Sequence, residues 1–261
     1  MRWLKMMLFL FILAVPLGPG GGVLSAAESS LISVEEAMSQ FVSGGLAYKE
    51  GDYDRAIKEY EEILKGGRES GTLYYNLGNS YFRKKDYGRA ILNYERARRL
   101  IPRDSDLNFN YYYALAQAGA DRRRGELNFF RKMMASHVLF YTLDEMILIS
   151  AGLSFLIAVV HLASLYLRGS RRIRRSILGA LSVFLIFYLF GSVVKMESRR
   201  NSAVAVANSE AKFEPRDEAT TYFSVKAGTK IKILKTQEAW AKIRREDGKM
   251  GWVPQKVFEY I

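Results

Sequence analysis

The chain has no cysteine and only two histidines among its 261 residues. The first absence excludes disulfides, thiol catalysis, Cys-ligated zinc and iron–sulfur clusters. It also excludes a lipoprotein anchor, which needs a cysteine at its cleavage site, and it leaves the redox compartment unread. The two histidines, His137 and His161, form no His-x-x-x-His pair and belong to no Glu-associated zinc motif. The glycine-rich strings GPGGG and GGRESGT lack the lysine of a phosphate loop. No Gly-x-Ser-x-Gly elbow occurs. With no recognisable nucleophile, metal set or cofactor fingerprint, the expectation is a protein that is not an enzyme and carries no cofactor.

Acidic residues are the minority charge: 27 Asp and Glu stand against 39 Lys and Arg, a net charge of +12. The excess is local. Residues 28–145 hold 18 basic and 18 acidic residues, whereas RGSRRIRR, residues 168–175, holds five arginines and no acid. Residues 195–261 hold 14 basic and 9 acidic residues. No broad basic face follows, so nucleic acid is not an expected partner.

Uncharged runs explain the clustering. The N-terminus has Arg2 and Lys5, then an apolar stretch, then the helix-breaking Pro16, Gly18, Pro19 and Gly20–Gly22, and small residues at Ser25 and Ala27. This pattern predicts a signal peptide over 1–27, with an uncleaved anchor as the other reading. Residues 146–167 and 177–194 contain no Asp, Glu, Lys or Arg. As helices they measure about 33 Å and about 27 Å, against a hydrocarbon core of about 30 Å. Both are expected to span a membrane, the alternative being two core helices of a soluble protein. Arginines in a short loop between spans are retained in the cytoplasm. Arg168, Arg171, Arg172, Arg174 and Arg175 therefore predict a cytoplasmic loop over 168–176, with both flanking regions on the outer side of the membrane. His161 lies inside the first span, where a neutral, hydrogen-bonded imidazole is the simplest reading.

An internal period of 34 residues runs through 37–104. Gly44 aligns with Gly78, Tyr53 with Tyr87, Ala56 with Ala90 and Tyr60 with Tyr94. The second copy carries Tyr74, Leu77, Gly78, Tyr81, Ala90, Tyr94, Ala97 and Pro102. This pattern resembles the tetratricopeptide repeat (TPR), an all-α solenoid, with 105–118 as a capping helix and 37–118 as the whole unit. Small residues at Gly78 and Ala90 let paired helices approach, and Pro102 stops the second helix. The resemblance implies a peptide-binding groove lined by first helices. Asn76, Asn79 and Asn110 fall there, either to bond an extended backbone or to brace helices. The places where one TPR subtype clamps a carboxylate hold Phe41, Gly45, Thr72 and Tyr75, not Lys or Arg. Residues 119–145 read as a linker with an interfacial helix.

The last 59 positions, 203–261, alternate in strand period in AVAVA, TKIKIL and AWAKIRR, with a turn at Asp247–Gly248. The spacing of Gly228, Trp240, Gly248, Gly251 and Trp252 resembles the bacterial SH3-like barrel, an all-β module. Tyr222, Trp240 and Trp252 are candidates for its binding surface, though tryptophan in so small a module is more often core. The full order of modules resembles the BatE-like TPR/SH3 component of bacterial aerotolerance operons. That resemblance implies a complex with von Willebrand factor A-domain proteins and a MoxR-type ATPase. The sequence thus points to a non-enzymatic inner-membrane scaffold for membrane or periplasmic proteins. A peptidoglycan-binding sensor or accessory factor is the alternative.

Overall fold

The computed structural model describes residues 32–120, 138, 140–166 and 170–261. The signal-peptide reading over 1–27, Arg168 and most of the 119–145 linker lie outside the described residues.

Five helices come first: α1 (Val34–Glu50), α2 (Tyr53–Lys65), α3 (Gly71–Arg83), α4 (Tyr87–Leu100) and α5 (Ser105–Ala118). Each starts on a capping side chain. Ser33, Asp52, Ser70, Asp86 and Asp104 accept from the backbone N–H three residues on, which satisfies a donor that the helix leaves free. The 34-residue period is visible as contact chemistry. A Cβ at Gly44 would stand 2.7 Å from the Tyr60 ring, and one at Gly78 would stand 2.7 Å from the Tyr94 ring. Both tyrosines are buried, so each glycine makes room for the aromatic ring that closes its hairpin.

Two long apolar helices follow, α6 (Leu143–Tyr166) and α7 (Arg171–Arg199), packed side by side. Both are long and apolar enough to cross a membrane. Only 11% and 6% of their most apolar stretches is buried, whereas a core helix of a soluble protein would be mostly covered. Arg171, Arg172, Arg174 and Arg175 do not sit in a loop as expected. They form the first turn of α7, behind the N-cap Ser170, because arginine is a good helix former and nothing between 171 and 175 breaks a helix.

The C-terminal region is one antiparallel sheet of seven strands: β1 (Ser202–Ala205), β2 (Ser209–Lys212), β3 (Thr221–Val225), β4 (Lys230–Gln237), β5 (Trp240–Arg245), β6 (Met250–Pro254) and β7 (Phe258–Tyr260). Their order across the sheet is β3-β2-β6-β5-β4-β1-β7. Residues from all seven strands share a single core that includes Ala203, Ala211, Phe223, Ile233, Ile243, Val253 and Phe258. The sheet therefore wraps around its core and fits an SH3-like module. Gly248 has φ +87° in the β5–β6 turn, a conformation that glycine adopts without penalty.

Candidate functional site

The first helices α1, α3 and α5 lie side by side, and their shared face is the candidate groove. The three asparagines do not simply open into it. Asn110 Nδ2 donates to Tyr75 Oη (2.9 Å) and to Asn79 Oδ1 (3.0 Å), and Tyr94 Oη donates to the same Asn79 oxygen (2.7 Å). Asn79 and Asn110 thereby tie α3, α4 and α5 together. The backbone carbonyl of Asn76 accepts from Ser80 Oγ at 2.9 Å. Burial raises the pKa of Tyr60, and hydrogen bonding by Asn76 partly offsets that rise. Asn79 and Asn110 thus carry interhelix hydrogen bonds while staying half-buried on the groove side.

What the groove exposes instead is aromatic. Phe109 and Tyr113 on α5 are 70% and 49% exposed. Their rings stack at 6.3 Å with an interplanar angle of 5°, and Tyr113 lies 5.5 Å from Phe82 on α3. Phe109 and Tyr113 stand one 34-residue period after Tyr75 and Asn79. The repeat that marks the asparagines marks these rings as well. A ladder of exposed rings on a braced platform suits an extended peptide with apolar side chains.

A second feature joins the two modules. Val204 of β1 is fully buried within the core of α4 and α5, together with Ala90, Ile91, Tyr94, Leu107 and Ala114. Beside it lies a buried carboxylate. Glu95 accepts from Tyr111 Oη (2.5 Å) and from Lys230 Nζ (3.0 Å), and Arg98 stands 3.6 Å away. Burial alone would raise the Glu95 pKa. The Lys230 and Arg98 charges and the hydrogen bonds from Tyr111 and Lys230 outweigh burial and pull it down to about 2. The opposite holds for Tyr111, whose hydroxyl burial and the Glu95 charge push well above the usual tyrosine range. Arg96 and Arg99 extend the contact by donating to the carbonyls of Tyr260 (2.7 Å) and Ile261 (2.6 Å).

The ends of the apolar hairpin reach the same region. Arg103, just beyond α4, pairs with Glu145 at the start of α6 at 2.6 Å. Arg199 at the end of α7 donates to the Arg99 carbonyl at 3.3 Å, and Lys195 donates to the Val138 carbonyl at 2.9 Å. Repeats, sheet and hairpin base converge on the C-terminal half of α4 and the loop after it.

On the sheet, Trp240 and Trp252 are not core residues. Both are half-buried and alternate with the buried Ala241, Gly251 and Val253, so they stand on the outer face. Alanine, valine, isoleucine and phenylalanine fill the interior. Tyr222 is 45% exposed and packs on Phe213 with ring centroids 4.6 Å apart. Among the described residues, no group of three or more His, Asp or Glu is placed to hold a metal.

Comparison with known families agrees with both modules. The family model described as tetratricopeptide repeat matches residues 43–105, and the bacterial SH3 domain model matches residues 213–259. The docking strand β1 precedes the second match. No curated protein matches the chain. Modules of these two kinds serve protein–protein interaction or peptidoglycan binding, and the chain contains both of them, separated by two apolar helices.

Proposed function

We propose that the chain is a non-enzymatic docking platform anchored in a bacterial inner membrane. In this reading α6 and α7 cross the bilayer and the arginine-rich start of α7 stays in the cytoplasm. The repeats and the SH3-like module together face the other side. The observation that carries it is the packing of β1 into the core of α4 and α5. Two modules that share a core lie on the same side of a membrane, as an even number of crossings between them requires. The repeats then present the Phe82–Tyr113–Phe109 ladder to a segment of a partner protein. The resemblance to the BatE-like family supports placing that partner in an aerotolerance-type envelope complex, with von Willebrand factor A-domain proteins and a MoxR-type ATPase.

Topology is tested with single cysteines, which meet no background in this chain. Ser70 would be a poor probe site, because its hydroxyl caps α3 through Leu73 N at 3.1 Å. Lys58, Ser170 and Ser209 serve instead. In spheroplasts, a membrane-impermeant maleimide is expected to label cysteines at Lys58 and Ser209 and to spare the one at Ser170 until the membrane is permeabilised. Labels on opposite sides for the first two, or outside labelling at Ser170, would reject the reading.

The groove is tested by crosslinking in whole membranes. A photoreactive residue at Gln117, the exposed last groove position of α5, is expected to capture a membrane or periplasmic protein. Phe109→Ala combined with Tyr113→Ala should reduce that capture about tenfold or more, the scale of an aromatic hot spot. Unchanged capture would remove the groove from the proposal.

A further inference from the structure

The register of β4, β5, β6 and β2 builds rows of side chains across the outer face of the sheet. One row runs Lys235, Lys242, Trp252, Lys212. The next is Lys232, Arg244, Met250, and the row on its other side is Gln237, Trp240, Pro254. Five cations share these rows; the carboxylate beside them, Glu210 two positions before Lys212 on β2, accepts from Thr221 Oγ1 at 2.6 Å. Lys232 is paired with Glu197 at 3.3 Å, while among the described residues Lys212, Lys235, Lys242 and Arg244 form no ion pair. Like charges directly across from one another weaken a sheet. Lys235 opposite Lys242, neither of them in an ion pair, is therefore a cost to the fold alone, and an anion on this face would remove it.

Strand direction indicates which anion. β4 runs antiparallel to β1, with Lys230 opposite Val204 and Lys232 opposite Ser202, the first residue of β1. From there β4 continues to Gln237, about 16 Å further at ~3.3 Å per residue, on the side from which α7 arrives. Lys232 itself reaches back to the side chain and the carbonyl of Glu197, both at 3.3 Å. Glu197 lies three positions beyond the apolar run that ends at Val194. The end of the sheet that carries Lys235, Trp240, Lys242 and Trp252 is thus the end nearest the hairpin. Lysines mixed with half-buried tryptophans and an exposed methionine are the composition of a bilayer interface.

We propose that this outer face rests on the headgroup layer of the membrane that α6 and α7 cross, its cations on the phosphates of anionic phospholipids. The proposal depends on the membrane reading above. Docking on the bilayer would fix the orientation of the repeats as well, because the sheet and α4 share a core.

The chain has three tryptophans, so Trp3→Phe leaves Trp240 and Trp252 as the only emitters, both on this face. The full chain is reconstituted in vesicles of phosphatidylcholine, with or without phosphatidylglycerol, and with lipid brominated near the headgroup as quencher. Emission is expected to be quenched in the anionic vesicles. The quenching should be reversed by salt and lost when Lys212, Lys235, Lys242 and Arg244 are all changed to glutamine. The single change Lys242→Gln should raise the thermal midpoint, because it relieves a like-charge pair; this also shows that the variants fold. If the chain resists alkaline carbonate extraction yet its tryptophans stay unquenched in every vesicle, the proposal is overturned and the membrane reading stands. If carbonate strips the chain from the vesicles, the membrane reading itself fails. If isolated peptidoglycan, but no lipid, shields the tryptophans from acrylamide, the face binds glycan and the proposal is likewise overturned.

Discussion

Glu95→Ala is expected to destabilise the full chain by about 3 kcal/mol and to release the SH3-like module from the repeats. Glu95 is buried between α4 and β4, and three groups converge on it: Lys230, Arg98 and Tyr111. Removing one partner of a buried ion pair leaves an uncompensated charge, which costs about 3–5 kcal/mol. The low end applies because the Lys230 side chain is 39% exposed and regains water, whereas Arg98 at 17% does not. Chemical denaturation in detergent, followed by tryptophan emission, measures the loss. Limited proteolysis between Ser198 and Ser202 measures the release. The pH dependence carries its own sign. Because Glu95 is held from the ordinary 4.5 down to about 2, its contribution is complete above the unfolded value and is lost as pH falls through about 2. Wild-type docking should therefore weaken between about pH 4.5 and pH 2, and Glu95→Gln should lose most of that dependence, keeping the part owed to Glu259 on Arg89 and Arg96. A variant that melts and digests like the wild type would show that the buried cluster does not hold the modules together.

The sequence made the local rules legible and hid the long-range ones. The 34-residue period marks the repeats because each hairpin repeats one contact, a glycine against a tyrosine ring, and that contact fixes residue type at fixed spacing. The Asp247–Gly248 turn was legible for the same reason, since its conformation selects glycine. By contrast, Glu95 and Lys230 are 135 positions apart and each looks like a solvated surface charge in its own helix or strand. Only the fold makes them one buried pair. The tryptophans could be surface or, by size, core; the core of this small sheet holds alanine, valine, isoleucine and phenylalanine, and the period-two alternation turns Trp240 and Trp252 outward. The asparagines of the groove are legible by position, but their hydrogen bonds to neighbours on two other helices are announced by no spacing. Arg171–Arg175 separate two apolar runs, which predicts a loop, although nothing in them prevents helix.

Gly88→Ala should separate the modules even though it improves the helix that carries it. Gly88 is buried in the second position of α4. In an unpacked helix interior, alanine is worth about 1 kcal/mol over glycine, so propensity alone predicts a higher midpoint. Here a Cβ would lie 2.4 Å from the Val206 carbonyl oxygen and 2.8 Å from the Val206 carbonyl carbon and Cα. These are backbone atoms and cannot swing aside, and Val206 is itself held by its N–H on the Val257 carbonyl at 2.8 Å. Accommodating the methyl group means moving the connection after β1 away from α4. Forcing an extra group into a tight contact costs about 1–3 kcal/mol, enough to cancel the helix gain and reverse its sign, and Gly88→Leu should exceed it. The separation is read directly by placing cysteines at Arg89 and Glu259, whose side chains approach to 3.6 Å, and joining them with a short bismaleimide. The Gly88 chain should crosslink within itself, Gly88→Ala less, and Gly88→Leu hardly at all, while the helical circular dichroism of the repeats persists. A rise in stability with unchanged crosslinking would mean that α4 and β1 do not touch in the protein, and the case for placing both modules on one side of the membrane would fall with that contact.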